Sequence, residues 1–232
     1  MRATTKDTSP PRSRFSKHEE WDSDIIKWTV LWKERGVIIE NLLSEHIAFI
    51  ERLEQFKSTY RKTHLRDENR FEDDAQHSFH VALMAHVLSQ YADRVIDVNR
   101  VCEMLLVHDI VELEAGDTFA YDEVGYQDKA LRETKAAEHI YGALGEKGQE
   151  FHALWREFEE MQTDDALFAN GIDRLQPILL NLQEDGGTWK EHGVPKAAIL
   201  KRLAPLERIS TPLYHLARTR IDEYFDGMEE KA

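Results

Sequence analysis

The chain contains few of the features that would mark a secreted or membrane protein. Cys102 is the single cysteine, so no intramolecular disulfide can form, and its apolar neighbours predict a small core residue. No stretch approaches the ~18 consecutive apolar residues of a membrane span. No apolar segment follows the basic residues near the N-terminus, which argues against a secretory signal. We therefore expect a cytoplasmic protein without a membrane partner.

Positive charge is also scarce. The 30 lysines and arginines are outnumbered by 44 aspartates and glutamates, which gives a formal net charge of −14. Because the phosphate backbone of a nucleic-acid polymer requires a basic surface, this balance argues against such a partner. A small anionic ligand stays compatible, since it needs only a few local basic groups.

Glycine and proline are few as well, with 11 and 6 residues in 232, and runs of alternating polar and apolar residues are missing from the sequence. Apolar residues instead recur at helical spacing through most of the chain. We predict an all-α helical bundle. Residues 56–228 are expected to form one domain, preceded by a helical extension over residues 18–55 and a disordered tail over residues 1–17.

The predicted extension carries an aromatic stripe at spacings of four, three and four residues. Its members are Trp21, Ile25, Trp28 and Trp32. Such a stripe packs either on the core of its own domain or on a second copy of the chain. A homodimer is therefore expected as one of two interpretations.

Ionisable residues interrupt the apolar pattern in the middle of the chain. Read as a helix, Leu105, His108, Asp109 and Glu112 share one face, which begins apolar and ends with an imidazole and two carboxylates. Buried carboxylates are costly unless they are compensated, and a divalent ion bound by His and Asp would compensate them. The alternative is an exposed helix end with solvated acids.

Two further segments favour the metal interpretation. His77 begins an otherwise apolar helical face, and Asp173 is the acid in another apolar helical stretch. Pro177 lies four residues beyond Asp173 and lacks the amide that would bond to its carbonyl, so a bend is expected there. The order H…HD…D, with its flanking motifs, resembles the HD-domain metal-dependent phosphohydrolase superfamily, and most closely the small bacterial group that includes the 5'-deoxynucleotidases. The resemblance covers about residues 56–226 and rests on Arg70-x-Glu72, Val107-His108-Asp109-x-x-Glu112-x-x-x-Gly116-Asp117, Trp155-x-Glu157-Phe158-Glu159 and Asp173-Arg174-Leu175.

The resemblance implies a fold, a metal centre and a reaction. The implied ligands of one divalent ion (manganese, cobalt, iron, nickel, zinc or magnesium) are His77, His108, Asp109 and Asp173. Glu112 and Asp117 are implied to handle protons of water or of the leaving oxygen, with support of a histidine ligand as the alternative role of Glu112. The implied substrate is a small anionic nucleotide, most of all a (deoxy)nucleoside 5'-monophosphate. Two alternatives are hydrolysis of triphosphates or pyrophosphorylated nucleotides, and a non-catalytic binding module.

A group of basic residues precedes the His77 helix. It consists of Lys57, Arg61, Lys62, Arg66 and Arg70. A solvated loop is one interpretation. The resemblance implies instead that an arginine of this loop approaches the substrate phosphate, and Arg61 is the first candidate, followed by Arg66 and Arg70.

Other features have weaker implications. Gly116 is expected to end the helix of His108 with a positive φ, and residues 118–128 form either a lid over the site or a plain connection. His139 and His152 could extend the metal centre, but neither lies in a matching motif, so we interpret both as ordinary surface or core histidines.

Overall fold

The structure is a computed structural model that describes residues 39–66, 68 and 70–229. The chain divides into two compact units, Met1–Leu43 and Ser44–Ala232. Of the first unit, residues 39–43 are described and are helical. The predicted tail and the aromatic stripe lie outside the described residues.

The second unit is built almost entirely of helices. Its elements, in chain order, are α1 (44–52), a 3₁₀ helix (Leu53–Ser58), β1 (Tyr60–His64), β2 (Phe71–Asp73), α2 (Asp74–Leu88), a 3₁₀ turn (Ser89–Tyr91), α3 (Val98–Val107), α4 (Glu112–Ala115), α5 (Tyr126–Gly142), α6 (Gly145–Glu160), α7 (Asp164–Gln183), α8 (Gly187–His192), α9 (Lys196–Arg202), α10 (Ala204–Ile209) and α11 (Thr211–Glu229). The all-α prediction is confirmed. Within the described ranges, no helix is both long and apolar enough to cross a membrane.

Helix α7 lies at the centre of the core. It packs against α2, α3, α6, α10 and α11, and its fully buried side chains include Phe168, Ile172 and Leu175. The helix begins sharply because the Thr163 side chain accepts a hydrogen bond from the amide of Ala166 at 3.1 Å. Asp173 is therefore held on a helix that packs against several other helices of the domain.

A capping box fixes the start of α2. The Asp73 side chain accepts from the amide of Gln76 at 2.9 Å, and the amide of Asp73 donates to the Gln76 side chain at 3.3 Å. Because α2 begins directly after β2, its first turn carries Asp74 and His77 into the interior, where both are completely buried.

The segment around His108 differs from the predicted continuous helix. Helix α3 ends at Val107, and residues 108–111 form a tighter turn in which the amide of Glu112 bonds to the carbonyl of Asp109 at 2.9 Å, three residues back. Helix α4 then ends at Ala115, and the next residue, Gly116, has the predicted positive φ, +74°. His108, Asp109 and Glu112 are still buried together.

The basic segment was predicted as a loop, but it is not a loop throughout: Lys57 lies in the 3₁₀ helix, and Arg61 and Lys62 lie in β1. Strands β1 and β2 pair antiparallel, with Tyr60 opposite Asp73 and His64 opposite Phe71. The Thr188 hydroxyl donates to the carbonyl of Lys62 at 2.7 Å and ties β1 to α8. The pairing has one register irregularity. The sequence did not predict it, because β2 is only three residues long and too short to show an alternation of polar and apolar residues.

Candidate metal centre and its cavity

Two histidines and two aspartates from three parts of the fold converge on one point. The Nε2 atom of His77 lies 3.0 Å from Oδ1 of Asp173 and 3.8 Å from Oδ2 of Asp109. The Nε2 atom of His108 lies 3.0 Å from Oδ2 of Asp109 and 3.6 Å from Oδ1 of Asp173. The structure thus brings all four predicted ligands together.

The second ring nitrogen of each histidine is held by an acceptor. Nδ1 of His108 donates to the carbonyl of Leu105 at 2.8 Å. Nδ1 of His77 lies 3.1 Å from Oε1 of Gln176, whose amide nitrogen donates to Glu72 at 2.6 Å. In the neutral imidazole, a proton on Nδ1 leaves the lone pair on Nε2, so both lone pairs are directed at the cluster.

The residues present fit a divalent ion. Nε2 of His108 is buried and makes no hydrogen bond, although it lies near two carboxylates. A buried nitrogen lone pair that faces carboxylate oxygens is unfavourable unless a proton or a cation lies between them. Two neutral nitrogens with two anionic oxygens are a common donor set for divalent first-row metals.

The carboxylates of the site divide into two groups by their pKa values. Burial would raise the pKa of Asp109 and of Asp173, but the neighbouring positive groups, His108 above all, outweigh burial and lower both. For Glu112, burial and the charge of Asp109 raise the pKa well above its ordinary value. Burial and Asp109 likewise raise the pKa of Asp74 to about 8. The site therefore combines ionised ligands with acids that hold protons.

A family model described as an HD domain matches residues 53–210, which is more than half of the chain. The chain belongs to the HD-domain family. The family expectation drawn from the H…HD…D order is therefore confirmed, and the convergence of the two histidines and two aspartates is the structural counterpart of that order.

Similar proteins agree with this membership. The 5'-deoxynucleotidase HDDC2 of Dictyostelium discoideum is 31% identical over 114 residues, which cover 47% of this chain and 60% of the relative. Human 5'-deoxynucleotidase HDDC2 is 31% identical over 115 residues, covering 49% and 55%. The match thus spans little more than half the length of these relatives. A crystal structure of a predicted metal-dependent phosphohydrolase from Magnetospirillum magnetotacticum MS-1 shares 45% identity, with a TM-score of 0.76 over 81% of this chain and 94% of that one.

A cavity of about 290 Å³ opens beside the cluster of this HD domain. His108, Asp109 and Asp173 line it, together with the predicted proton-handling residues Glu112 and Asp117. Residues 118–121, from the segment interpreted as either a lid or a plain connection, form part of its wall. The volume lies near the lower end of the ~300–1,000 Å³ typical of small-molecule sites.

The three candidate arginines lie in different places. Arg61 lines the cavity, and its Nη1 atom lies 2.5 Å from Oδ2 of Asp109 and 3.5 Å from Oδ1 of Asp74. Arg66 and Arg70 are exposed, and the Arg70 side chain bonds to Glu68 at 2.6 Å. Of the three, the structure brings only Arg61 into the cavity wall.

The remaining residues singled out from the sequence are not ligands of the cluster. His139 is exposed and bonds to Glu114 at 2.7 Å, while His152 stacks on Trp155. Neither lies in the cluster of ligands. From the Trp155-x-Glu157-Phe158-Glu159 motif, Phe158 packs on the His108 ring with centroids 4.9 Å apart.

Two buried residues of the site were missed by sequence reasoning. Asp74 is completely buried, and neither of its carboxylate oxygens has a hydrogen-bond partner among the described residues. Gln176 is 1% exposed and holds His77. Asp74 lies three residues before His77, and Gln176 lies three residues after Asp173. Residues at this spacing share a helix face, so the position of each ligand already indicates these two neighbours.

The Gln176 contact leads to a prediction about His77. Gln176→Leu removes the acceptor that orients Nδ1 of His77, so we expect divalent-metal affinity to fall about 10- to 100-fold, the usual cost of losing such a contact. Calorimetric titration of the chelator-treated protein with manganese or zinc measures it. Gln90→Leu, on an exposed turn, is the control. Equal affinities for the Gln176 variant and the parent would show that the contact does not orient the ligand.

Proposed function

We propose that this chain is a metal-dependent phosphohydrolase that cleaves the phosphate monoester of (deoxy)nucleoside 5'-monophosphates. The observation that carries the proposal is a buried cluster of two histidines and two aspartates that opens on a small cavity, with the Arg61 guanidinium on the wall of that cavity. The names of the HDDC2 relatives and of the Magnetospirillum structure support the same reaction class.

The ligand set of this mechanism is the buried cluster. His77, His108, Asp109 and Asp173 would hold one divalent ion. When bound, such an ion lowers the pKa of a water molecule and offsets negative charge at phosphorus. Arg61 would bind a phosphate oxygen through the two parallel N–H donors of its guanidinium group. Its side chain is largely buried beside the proposed metal ligand Asp109, so its positive charge lies next to the cluster.

The protons are assigned to the acids of the cavity. Hydrolysis forms a bond from water oxygen to phosphorus and breaks the bond from phosphorus to the 5' oxygen, which must then take up a proton. Burial raises the pKa of Glu112 and of Asp117, which favours the protonated form of both acids, the form that can donate a proton to the leaving oxygen. The alternative role of Glu112, support of a histidine ligand, is disfavoured because both Nδ1 atoms already have other partners.

The proposed partners follow from the same geometry. The small cavity fits a nucleotide better than a nucleic-acid polymer. Triphosphates or pyrophosphorylated nucleotides are the alternative substrates, and a homodimer through the N-terminal extension stays part of the proposal, supported by the sequence pattern alone. A phosphate-release screen over deoxynucleoside and ribonucleoside mono-, di- and triphosphates, with and without added manganese or cobalt, tests it. Metal-dependent release from triphosphates but not monophosphates would replace the proposed substrate.

A prediction concerns the phosphate-binding arginine. Arg61→Lys keeps the charge but loses the two-donor fork, so kcat/KM for the best monophosphate is expected to fall about 10- to 100-fold. Steady-state kinetics measure the change. Arg70→Lys is the matched control, because Arg70 is exposed and pairs with Glu68. An unchanged Arg61→Lys beside an impaired Arg66→Lys or Arg70→Lys would assign the phosphate to a different arginine.

A further inference from the structure

Most of the half-buried arginines in the described part of the chain have an acidic partner. Within the described ranges there are six of them, and four pair with carboxylates: Arg52 with Glu114, Arg61 with Asp109, Arg100 with Glu157 and Arg132 with Asp128. The other two, Arg174 and Arg202, have no carboxylate oxygen of a described residue within 4.0 Å. The lack of a carboxylate partner distinguishes these two from the other half-buried arginines, although the chain has 44 acidic residues.

Both unpaired arginines line the cavity beside the metal ligands. Among the described residues, the hydrogen-bond partners of the Arg174 guanidinium are neutral: Nη2 donates to Oδ1 of Asn170 at 3.3 Å and contacts Sδ of Met161 at 3.5 Å. Its Nε atom is buried, and no described residue accepts a hydrogen bond from it. Nη1 of Arg202 lies 3.5 Å from the Tyr126 hydroxyl.

The two guanidinium groups share the wall of one cavity, and both arginines are half-buried there. Two like charges in a partly buried cavity repel each other, and each has lost some of its hydration. A negatively charged group between them would offset both costs.

The acids nearby do not supply that negative charge. Glu133 bonds to Lys129 at 2.6 Å and compensates that lysine. Glu159 is exposed, and it lies outside ion-pair distance of Arg174. Asp173 is next to Arg174 in the chain, but its Oδ1 atom lies 3.0 Å from Nε2 of His77 and makes no ion pair with Arg174. The compensating group is therefore expected to come with a ligand.

We infer that Arg174 and Arg202 form a second oxyanion site, which binds a phosphate or carboxylate carried by the leaving alcohol of the substrate. The inference rests on the proposed function, in which the scissile phosphate lies at Arg61 and the metal ligands. One ligand can contact both places because all three arginines line the same cavity of about 290 Å³. The preferred substrate would then be a phosphate monoester with two separated anionic groups, such as a nucleoside 3',5'-bisphosphate.

The test compares substrates that differ only in the second anion. Phosphate release is measured from a 2'-deoxynucleoside 5'-monophosphate and its 3',5'-bisphosphate, and from a sugar phosphate with and without a carboxylate. For at least one doubly anionic compound, kcat/KM is expected to exceed that of its singly anionic counterpart by about 10- to 100-fold, the effect of a charge-assisted hydrogen bond pair. The phosphate and carboxylate arms distinguish the two sources of the anion.

Variants connect that advantage to the two arginines. Arg174→Gln and Arg202→Gln are expected to reduce the ratio of kcat/KM values, doubly to singly anionic, to near one. Arg208→Gln, an exposed arginine outside the cavity wall, is the control and should keep the ratio. Because Arg174 lies on the central helix, melting temperatures are measured for all variants, and Arg202→Gln at the end of α9 tests the site should Arg174→Gln fail to fold.

The outcomes separate the inference from the proposed function. Hydrolysis of the monophosphate without any advantage from a second anion, or an advantage that survives both substitutions, overturns the inference and leaves the proposed function intact. If no compound is hydrolysed, the proposed function fails. Calorimetric binding of the bisphosphate to the parent, weakened about 10-fold or more in Arg202→Gln but not in Arg208→Gln, would then still support the oxyanion site, and equal binding would overturn it.

Discussion

His108→Ala and Asp109→Ala are both expected to abolish tight divalent-metal binding and to leave most of the helical content intact. Each substitution removes one of four donor atoms, two nitrogens and two oxygens, whose nitrogen–oxygen distances are 3.0 to 3.8 Å. Losing a partner of a ligand already costs about 10- to 100-fold in affinity, so losing a ligand should cost more than ~100-fold. Metal-dependent phosphate release should fall with it.

The helices should survive because apolar contacts hold them together. The core around α7 consists of aliphatic and aromatic residues from α2, α3, α6, α10 and α11. Asp109→Ala leaves the Arg61 charge with Asp74 as its remaining near partner, so some loss of stability is expected from that buried cation. Circular dichroism separates this loss from unfolding.

Elemental analysis of purified protein measures the stoichiometry directly. His139→Ala is the matched control, because His139 is exposed and bonds to Glu114 away from the cluster. We expect about one ion per chain in the parent and in His139→Ala, and close to none in the two ligand variants. A His108→Ala protein that keeps one tightly bound ion per chain would remove the proposed ligand set.

The ligands were accessible to sequence reasoning because each one breaks an apolar helical pattern. His77, His108 with Asp109, and Asp173 interrupt such patterns, and their order along the chain led to the family. The distances add what the pattern could not, namely that three separate segments place these atoms within ion-binding range.

The geometry around the ligands was less predictable. Residues 108–111 were predicted to be helical but form a tight turn. In this turn, backbone amides bond to carbonyls three residues back instead of four, and the spacing of apolar residues does not distinguish the two patterns. Likewise, β1 forms through pairing with β2, and this pairing places Arg61 in the cavity wall while Arg66 and Arg70 stay exposed. Sequence spacing alone could not rank the three arginines by position.

Glu112→Gln is expected to leave metal bound and to lower turnover by about 100-fold or more, the scale of general acid or base catalysis. The substitution keeps the shape of the side chain and replaces the ionisable carboxyl group by an amide that does not titrate. Glu114→Gln is the control, since Glu114 lies on the same short helix but bonds to Arg52 and His139. Unchanged turnover in Glu112→Gln would leave Asp117 as the acid that handles the proton, and Asp117→Asn tests that directly.

The same variant should also respond to pH in a way that a purely structural residue would not. In chelator-treated protein, burial and the charge of Asp109 raise the folded-state pKa of Glu112 well above the ordinary value of 4.5. Above that ordinary value the folded chain keeps a proton that the unfolded chain has released, so this group's contribution to stability declines as pH rises toward the folded-state pKa. A glutamine stays neutral at every pH and escapes the decline.

The melting temperature of Glu112→Gln, relative to that of the parent, is therefore expected to rise as the pH increases above about 4.5, the ordinary pKa of a glutamic acid, while Glu114→Gln should show no such rise. The Glu114 carboxylate has the opposite shift, because its bonds to Arg52 and His139 outweigh burial and lower its pKa. A variant that is more stable than the parent at alkaline pH but turns over about 100-fold more slowly would indicate that the buried Glu112 carboxyl lowers the stability of the fold and is needed for catalysis. Parallel melting curves for Glu112→Gln and the parent across this range would contradict a protonated Glu112.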